Sequence, residues 1–335
     1  MAHRWWWGSS PPGAPDDAGV WVSDPGGGSA RLAAQVAAPQ WLVTHPDVPV
    51  LYVVHGPFGD GGVTALDISH PEDVHALGHI PIEGAPSHAV LSRDGLSLYV
   101  STGAGGLAHI RVAADGLFAS HRAITVSPRR DDSLTRAGTL ATPEGRFLLA
   151  WDSGSDDIRC YDILPDGALR PDRAAAHLPA RSAPIAASCV DGFVHVLCEG
   201  EATVHSCEWD VATRSCIPRS VTTVSADVAG AHLMIAASQL YVSIPSHRSV
   251  AVFDREGEVL RRRTVFSAQG AFPGRVAVID EWFVMCDESG TGEVCDVAEV
   301  LALDKDTDLP EERDGPQALD SRPVDIPSPT CVRAV

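Results

Sequence analysis

Lysine is almost missing from this chain: Lys305 stands alone beside 24 arginines. Basic residues of both kinds number 25 against 44 acidic ones, a formal net charge of −19. A surface that acidic repels phosphate backbones, and with no basic stripe the sequence excludes a nucleic-acid binder. Any apolar run of about 18 residues is also missing, which excludes a membrane-spanning helix. The N-terminal MAHRWWWGSSPPG carries basic character but no apolar segment of about 7 to 15 residues behind it, so it does not read as a signal peptide. A cytoplasmic location is expected. No stretch sustains a helical period for three turns, although a short stretch such as 174–178 could be helical.

Several chemical signatures are absent as well. Without a GxSxG elbow the Ser and His residues carry no sign of a hydrolase triad. The eight cysteines (160, 189, 198, 207, 216, 286, 295 and 331) include no CxxC pair. Four of them recur every nine residues from Cys189 to Cys216, which is read as antiparallel strands using Cys as a small buried apolar residue rather than as a zinc pattern. Asp304, Asp306 and Asp308 alternate like a calcium loop, but Leu309 and Gly315 stand where that loop needs Gly and Glu, so the segment reads as a solvated acidic hairpin. The glycine clusters at 59–62 and 103–106 lie between strands rather than before a helix, and are turns rather than phosphate loops. No metal site is expected.

What the chain does have is a repeat. Apolar strand-like runs closed by a small or polar turn are centred on Trp6, Tyr52, Tyr99, Leu149, His195, Tyr241 and Val284, at intervals of 46, 47, 50, 46, 46 and 43 residues. That is the blade period of a β-propeller. Upstream of each marker lies a second strand, often opened by Pro and divided from the marker by a Pro/Asp/Gly turn, as in PSHAVLSRDGLSLYV; this is a hairpin. A third strand with period-2 alternation and a variable outer strand follow. The expected fold is all-β: a seven-bladed propeller of four-stranded antiparallel blades, one domain over residues 1–335. Open rings expose two sheet edges, so the strand-like segments 5–7 and 330–335 are expected to complete one blade from both chain ends.

These residues resemble the seven-bladed propeller lactonase family, which includes one type of 6-phosphogluconolactonase and the fungal carboxy-muconate cycloisomerase. The resemblance rests on GVWVSDPGGGSARL, PQWLVTHPDVPVLYVVHG, PSHAVLSRDGLSLYVSTGAGG, EGRFLLAWDSGSDDIRCYDILPDGAL and the tail VDIPSPTCVRAV, in the family's order and spacing. It implies a site in the central funnel, where cations hold a carboxylate or phosphate and an acid/base pair moves protons at a lactone. Residue by residue the site is altered. The family's HPH corresponds to Thr135, Arg136 and Ala137, its PRH to Pro184, Ile185 and Ala186, and an expected Arg is Pro245. Glu199 and His88 survive, and Arg275 stands one residue beyond the family's Arg.

The resemblance therefore implies Glu199 and His88 as proton-transfer groups, with Arg136, Arg275 and His232 holding the substrate's anion. Such chemistry needs no metal or organic cofactor. His45 reads as a turn residue, and Asp152, Gly154 and Asp156 as structural. Two functions follow: a lactone hydrolase or cycloisomerase-like enzyme acting on a small anionic substrate of sugar-acid or muconate type, or a degenerate propeller that binds a ligand or protein. The expected assembly is a monomer or weak homodimer.

Overall fold

A computed structural model describes residues 4–27, 29–56, 61–125, 136–267, 273–287, 291–303, 317–319 and 321–335. The acidic segment 304–316, Thr135 and the first two residues of the 59–62 cluster lie outside the described residues. Seven antiparallel sheets form a ring of four-stranded blades, and the sixth blade gains a two-residue fifth strand, Gln317–Ala318, paired parallel to Val259–Ser267. One blade is closed as the sequence predicts. Pro329–Ala334 forms its innermost strand and pairs antiparallel with Trp5–Ser9, which is followed by Gly19–Ser23 and Arg31–Gln35. Among the described residues no helix is long and apolar enough to cross a membrane.

The second strand of each blade holds the ring together. Val50–His55 and Ser97–Thr102 are buried along their whole length because each blade is covered on both faces by its neighbours. Alternate residues serve different cores. Tyr52 and Val54 join Leu98 and Val100 of the next blade, while Leu51 and Val53 join Trp6 and Val20 of the closing blade. This explains why the markers read as continuous apolar runs. Two tyrosines also latch neighbouring blades: Tyr52 Oη donates to the Gly116 carbonyl (2.8 Å) and Tyr99 Oη to the Gly167 carbonyl (2.9 Å).

One expectation fails. Residues 174–177 belong to the strand Leu169–His177, which pairs with Asp157–Ile163; the ladder overrides the helical preference of an alanine run. The helix observed is Val297–Ala302, capped by Asp296 Oδ1 accepting from the Ala298 N–H at 2.6 Å. The eight cysteines are free thiols, seven of them buried. Burial pushes Cys189, Cys198 and Cys295 up to about 12, far from the thiolate form. His45 is buried, and its Nδ1 accepts from the Asp47 and Val48 N–H groups (3.1 and 3.3 Å), a turn-making role.

Candidate functional site

Seven inner strands converge on one central cavity of about 1050 Å³. Five of them open on proline, at Pro39, Pro86, Pro184, Pro273 and Pro329. An inner strand is a sheet edge, where the missing N–H of proline costs no ladder bond. Each of the five is bulged directly after its proline. Pro39 faces His55 and Trp41 faces Val54, so Gln40 is left between; the same skip occurs at Ser87, Ile185, Gly274 and Thr330.

The bulges deliver the site. Trp41, His88, Arg275 and, two residues deeper on the closing strand, Arg333 all line the cavity with His232. The Trp41 ring is their hub. His88 lies 4.2 Å from it between centroids and His232 6.1 Å, while the guanidinium carbons of Arg275 and Arg333 stand 4.8 and 4.7 Å from its centroid. Arg333 Nε also donates to the Leu42 carbonyl at 3.0 Å. Among the described residues neither arginine has a carboxylate within ion-pair reach. Among the described residues, then, a protein of net charge −19 holds two cations in its funnel with no carboxylate paired to either.

Burial and that charge together set the state of the imidazoles. Burial first, then the Arg275 and Arg333 charges, push His88 down to about 3; the same causes, with His88 added, hold His232 well below its ordinary value. His88 Nδ1 accepts from the Thr139 N–H (3.4 Å). This bond assigns the proton of neutral His88 to Nε2, making the free ring nitrogen a donor.

Of the residues singled out in the sequence, His88, Arg136, Arg275 and His232 line this cavity, Arg136 being exposed at its mouth. Glu199 is not among its lining residues. Its Oε1 instead accepts from the Gly230 N–H at 3.1 Å. Ala137, Ile185, Ala186 and Pro245, which replace the family's polar groups, also form the wall. Trp41, Arg333 and Trp151 were missed by sequence reading. Asp152 and Asp156 are structural: Asp152 Oδ1 accepts from Gly154 N–H (2.7 Å), and Asp156 accepts from the N–H groups of Arg181 and Ala183 (3.0 and 3.4 Å).

The family model described as lactonase, 7-bladed beta-propeller, matches residues 28–333. The chain belongs to this family. It is similar to the 6-phosphogluconolactonase of Bacillus subtilis (strain 168), with 27% identity over 327 residues, 90% of this chain and 89% of that one. Among solved structures it resembles the periplasmic gluconolactonase of Pseudomonas aeruginosa (TM-score 0.78, 21% identity, 99% of both chains). It is also similar to a Lactobacillus plantarum protein (TM-score 0.79, 20% identity, 100% of both chains). At these identities the two structures speak for the fold alone. The funnel of this chain is cationic around Arg275, Arg333 and Trp41.

Proposed function

We propose that the protein hydrolyses a lactone to its hydroxy acid in the central funnel, with water as the nucleophile. The observation that carries this reading is the pair of guanidinium groups on Trp41 beside the His88 ring. Water adds to the acyl carbon and the carbonyl oxygen becomes an oxyanion. Arg275, Arg333 and the Nε2–H of His88 are the donors for that oxyanion, and a low-dielectric funnel strengthens them. The ring C–O bond then breaks, its oxygen takes one proton from solvent, the two protons of the attacking water leave to solvent so that one proton is released overall, and the product carboxylate stays on the arginine pair until release. The lactonase family model and the name of the Bacillus subtilis relative, 6-phosphogluconolactonase, support the same bond type.

The site is rich in electrophilic groups and poor in bases. His232 stays neutral but is a weak base at its depressed value, so kcat/KM should rise with hydroxide above pH 7 without a histidine limb. A non-catalytic anion-binding propeller is the second reading. It is favoured by one observation: among the described lining residues the one carboxylate, Asp280, lies at the opposite end of the Arg275 strand. A lactone panel followed by pH-stat separates the two. Turnover that falls at least about tenfold in Arg275→Met and His88→Ala supports hydrolysis; background rates for the wild type on every lactone, with anion binding intact, leave the binder.

A further inference from the structure

We infer that Glu199, which the family resemblance marks as a proton-transfer group, is a positioning residue that holds the His232 and Arg136 side of the funnel through the Gly230 peptide. The inference deepens the lactonase reading and rests on it for its kinetic arm only.

The geometry is specific. Glu199 follows the strand Phe193–Cys198 of the fifth blade, and its backbone is tied back within that blade, N–H to the Ala183 carbonyl at 3.0 Å. Its side chain crosses to the sixth blade and takes the Gly230 N–H. Gly230 has φ +78°, a left-handed conformation that suits glycine. A Cβ built on it would stand 3.4 Å from Nη2 of Arg136, so this residue is the seat of the fourth blade's arginine. Two residues on, the His232 N–H donates to Ser243 Oγ (2.8 Å) and the Ser243 N–H to the His232 carbonyl (3.0 Å). Glu199 and Ser243 therefore clamp the lead-in to His232 from two sides.

A second blade repeats the device. Asp156, in the corresponding turn of the fourth blade, accepts from the Arg181 and Ala183 N–H groups that lead into the inner strand Pro184–Val190. That strand presents Ile185 and Ala186 to the cavity, with no acid/base partner for Asp156 to serve. A carboxylate bracing the next blade's inner strand thus occurs in two successive blades, and Glu199 does this from the corresponding turn, at a position three residues earlier in it than Asp156. Its oxygen must accept a hydrogen bond; it need not exchange a proton.

The test compares Glu199→Gln with Glu199→Ala. Gln keeps an acceptor oxygen and loses the ionisable group. Expected is rescue: Gln keeps KM and kcat within about twofold and leaves the pH profile superimposable, while Ala raises KM about tenfold, more than it lowers kcat. Binding of inorganic phosphate by calorimetry follows the same order without any lactone. So does the His232 ring NMR signal, assigned by its loss in His232→Asn: unmoved in Gln, displaced in Ala. Loss of kcat in Gln with phosphate affinity and the His232 signal intact would overturn the inference in favour of proton transfer. Wild-type behaviour of Ala in every arm would overturn it outright. If no lactone turns over at all, the hydrolase reading fails, and the phosphate and NMR arms still decide the role of Glu199.

Discussion

Replacing Arg333 by Met should leave the empty protein about as stable as before and remove most of the stabilisation it gains from an anion. The two guanidinium carbons lie 4.8 and 4.7 Å from one ring centroid and therefore at most 9.5 Å from each other. At an effective dielectric of about 20 that separation corresponds to at least about 1.7 kcal/mol of repulsion. Removing one charge would relieve it, at the loss of stacking on Trp41 worth roughly 1 kcal/mol and one bond to the Leu42 carbonyl worth about as much. The terms offset to within about 1 kcal/mol. Anion binding has no such compensation: losing one charge-assisted contact weakens phosphate about tenfold. At ten times its wild-type Kd, phosphate stabilises the native protein by about 1.4 kcal/mol, and the variant at the same concentration by about 0.4. Thermal unfolding with and without phosphate, at constant ionic strength set with NaCl, should show a rise of about 2 °C for the wild type and about 0.6 °C for Arg333→Met. An undiminished rise in the variant would refute the two-cation site. So would a loss of more than about 3 kcal/mol without anion, since it would make Arg333 a structural residue.

Tyr52→Phe and Tyr99→Phe should each cost about 1 to 2 kcal/mol in urea unfolding, because each leaves a turn carbonyl of the next blade unpaired, and the double variant should be additive within about 0.5 kcal/mol. A chain ending at Arg322 lacks the inner strand of the closing blade and should show no cooperative unfolding transition by circular dichroism; melting like the full chain would refute closure by the tail. Acid should destabilise the fold early. His55 and His195 are buried and pushed down to about 4 by burial, with His79 and Arg255 adding repulsion, so the unfolded chain binds their protons first as pH falls through about 6.5. Each of these two should take about 1.2 kcal/mol from stability between pH 6 and 5, His88 and His232 add to the same loss, and His195→Gln should lower the slope by about one histidine's share.

The ring was legible in the sequence because its second strands are buried on both faces. Val50–His55 tolerates no polar alternation, so the run survives as a marker in every blade, and closed packing repeats it at a fixed spacing. The stretch 174–178 could be helical on local propensity alone, because local propensity cannot see the ladder to Asp157–Ile163. Arg333 was hidden for a different reason. The tail was read as a closing strand alone, yet Cys331, Val332 and Ala334 around it are apolar, and one arginine in a strand destined for the ring's inside is itself a signal. Glu199 shows the limit of positional matching. Its place in the chain follows the family, while the direction of its side chain is fixed by the Gly230 loop 31 residues away.

The Pro-x-X spacing at the head of the inner strands joins these observations. Ala38, Ala85, Ala183 and Ser328, each just before the strand-opening proline, all adopt positive φ between 44° and 60°. A side chain in that region stores roughly 1 kcal/mol, and the strain recurs four times. It turns the chain sharply into the funnel, and at the first three the bulge that follows brings the residue two beyond proline to the wall: Trp41, His88 and Ala186, with Arg275 in the same register two beyond Pro273. Backbone geometry thus fixes where functional groups stand before any side chain is chosen. Ile185 and Ala186 stand at the same stations on the wall as Ser87 and His88, so the stations persist while their occupants differ from blade to blade. What remains is a funnel whose cations are concentrated around Trp41, on the side where the tail strand closes the ring, and the reaction it supports should depend on that closure as much as on any one residue.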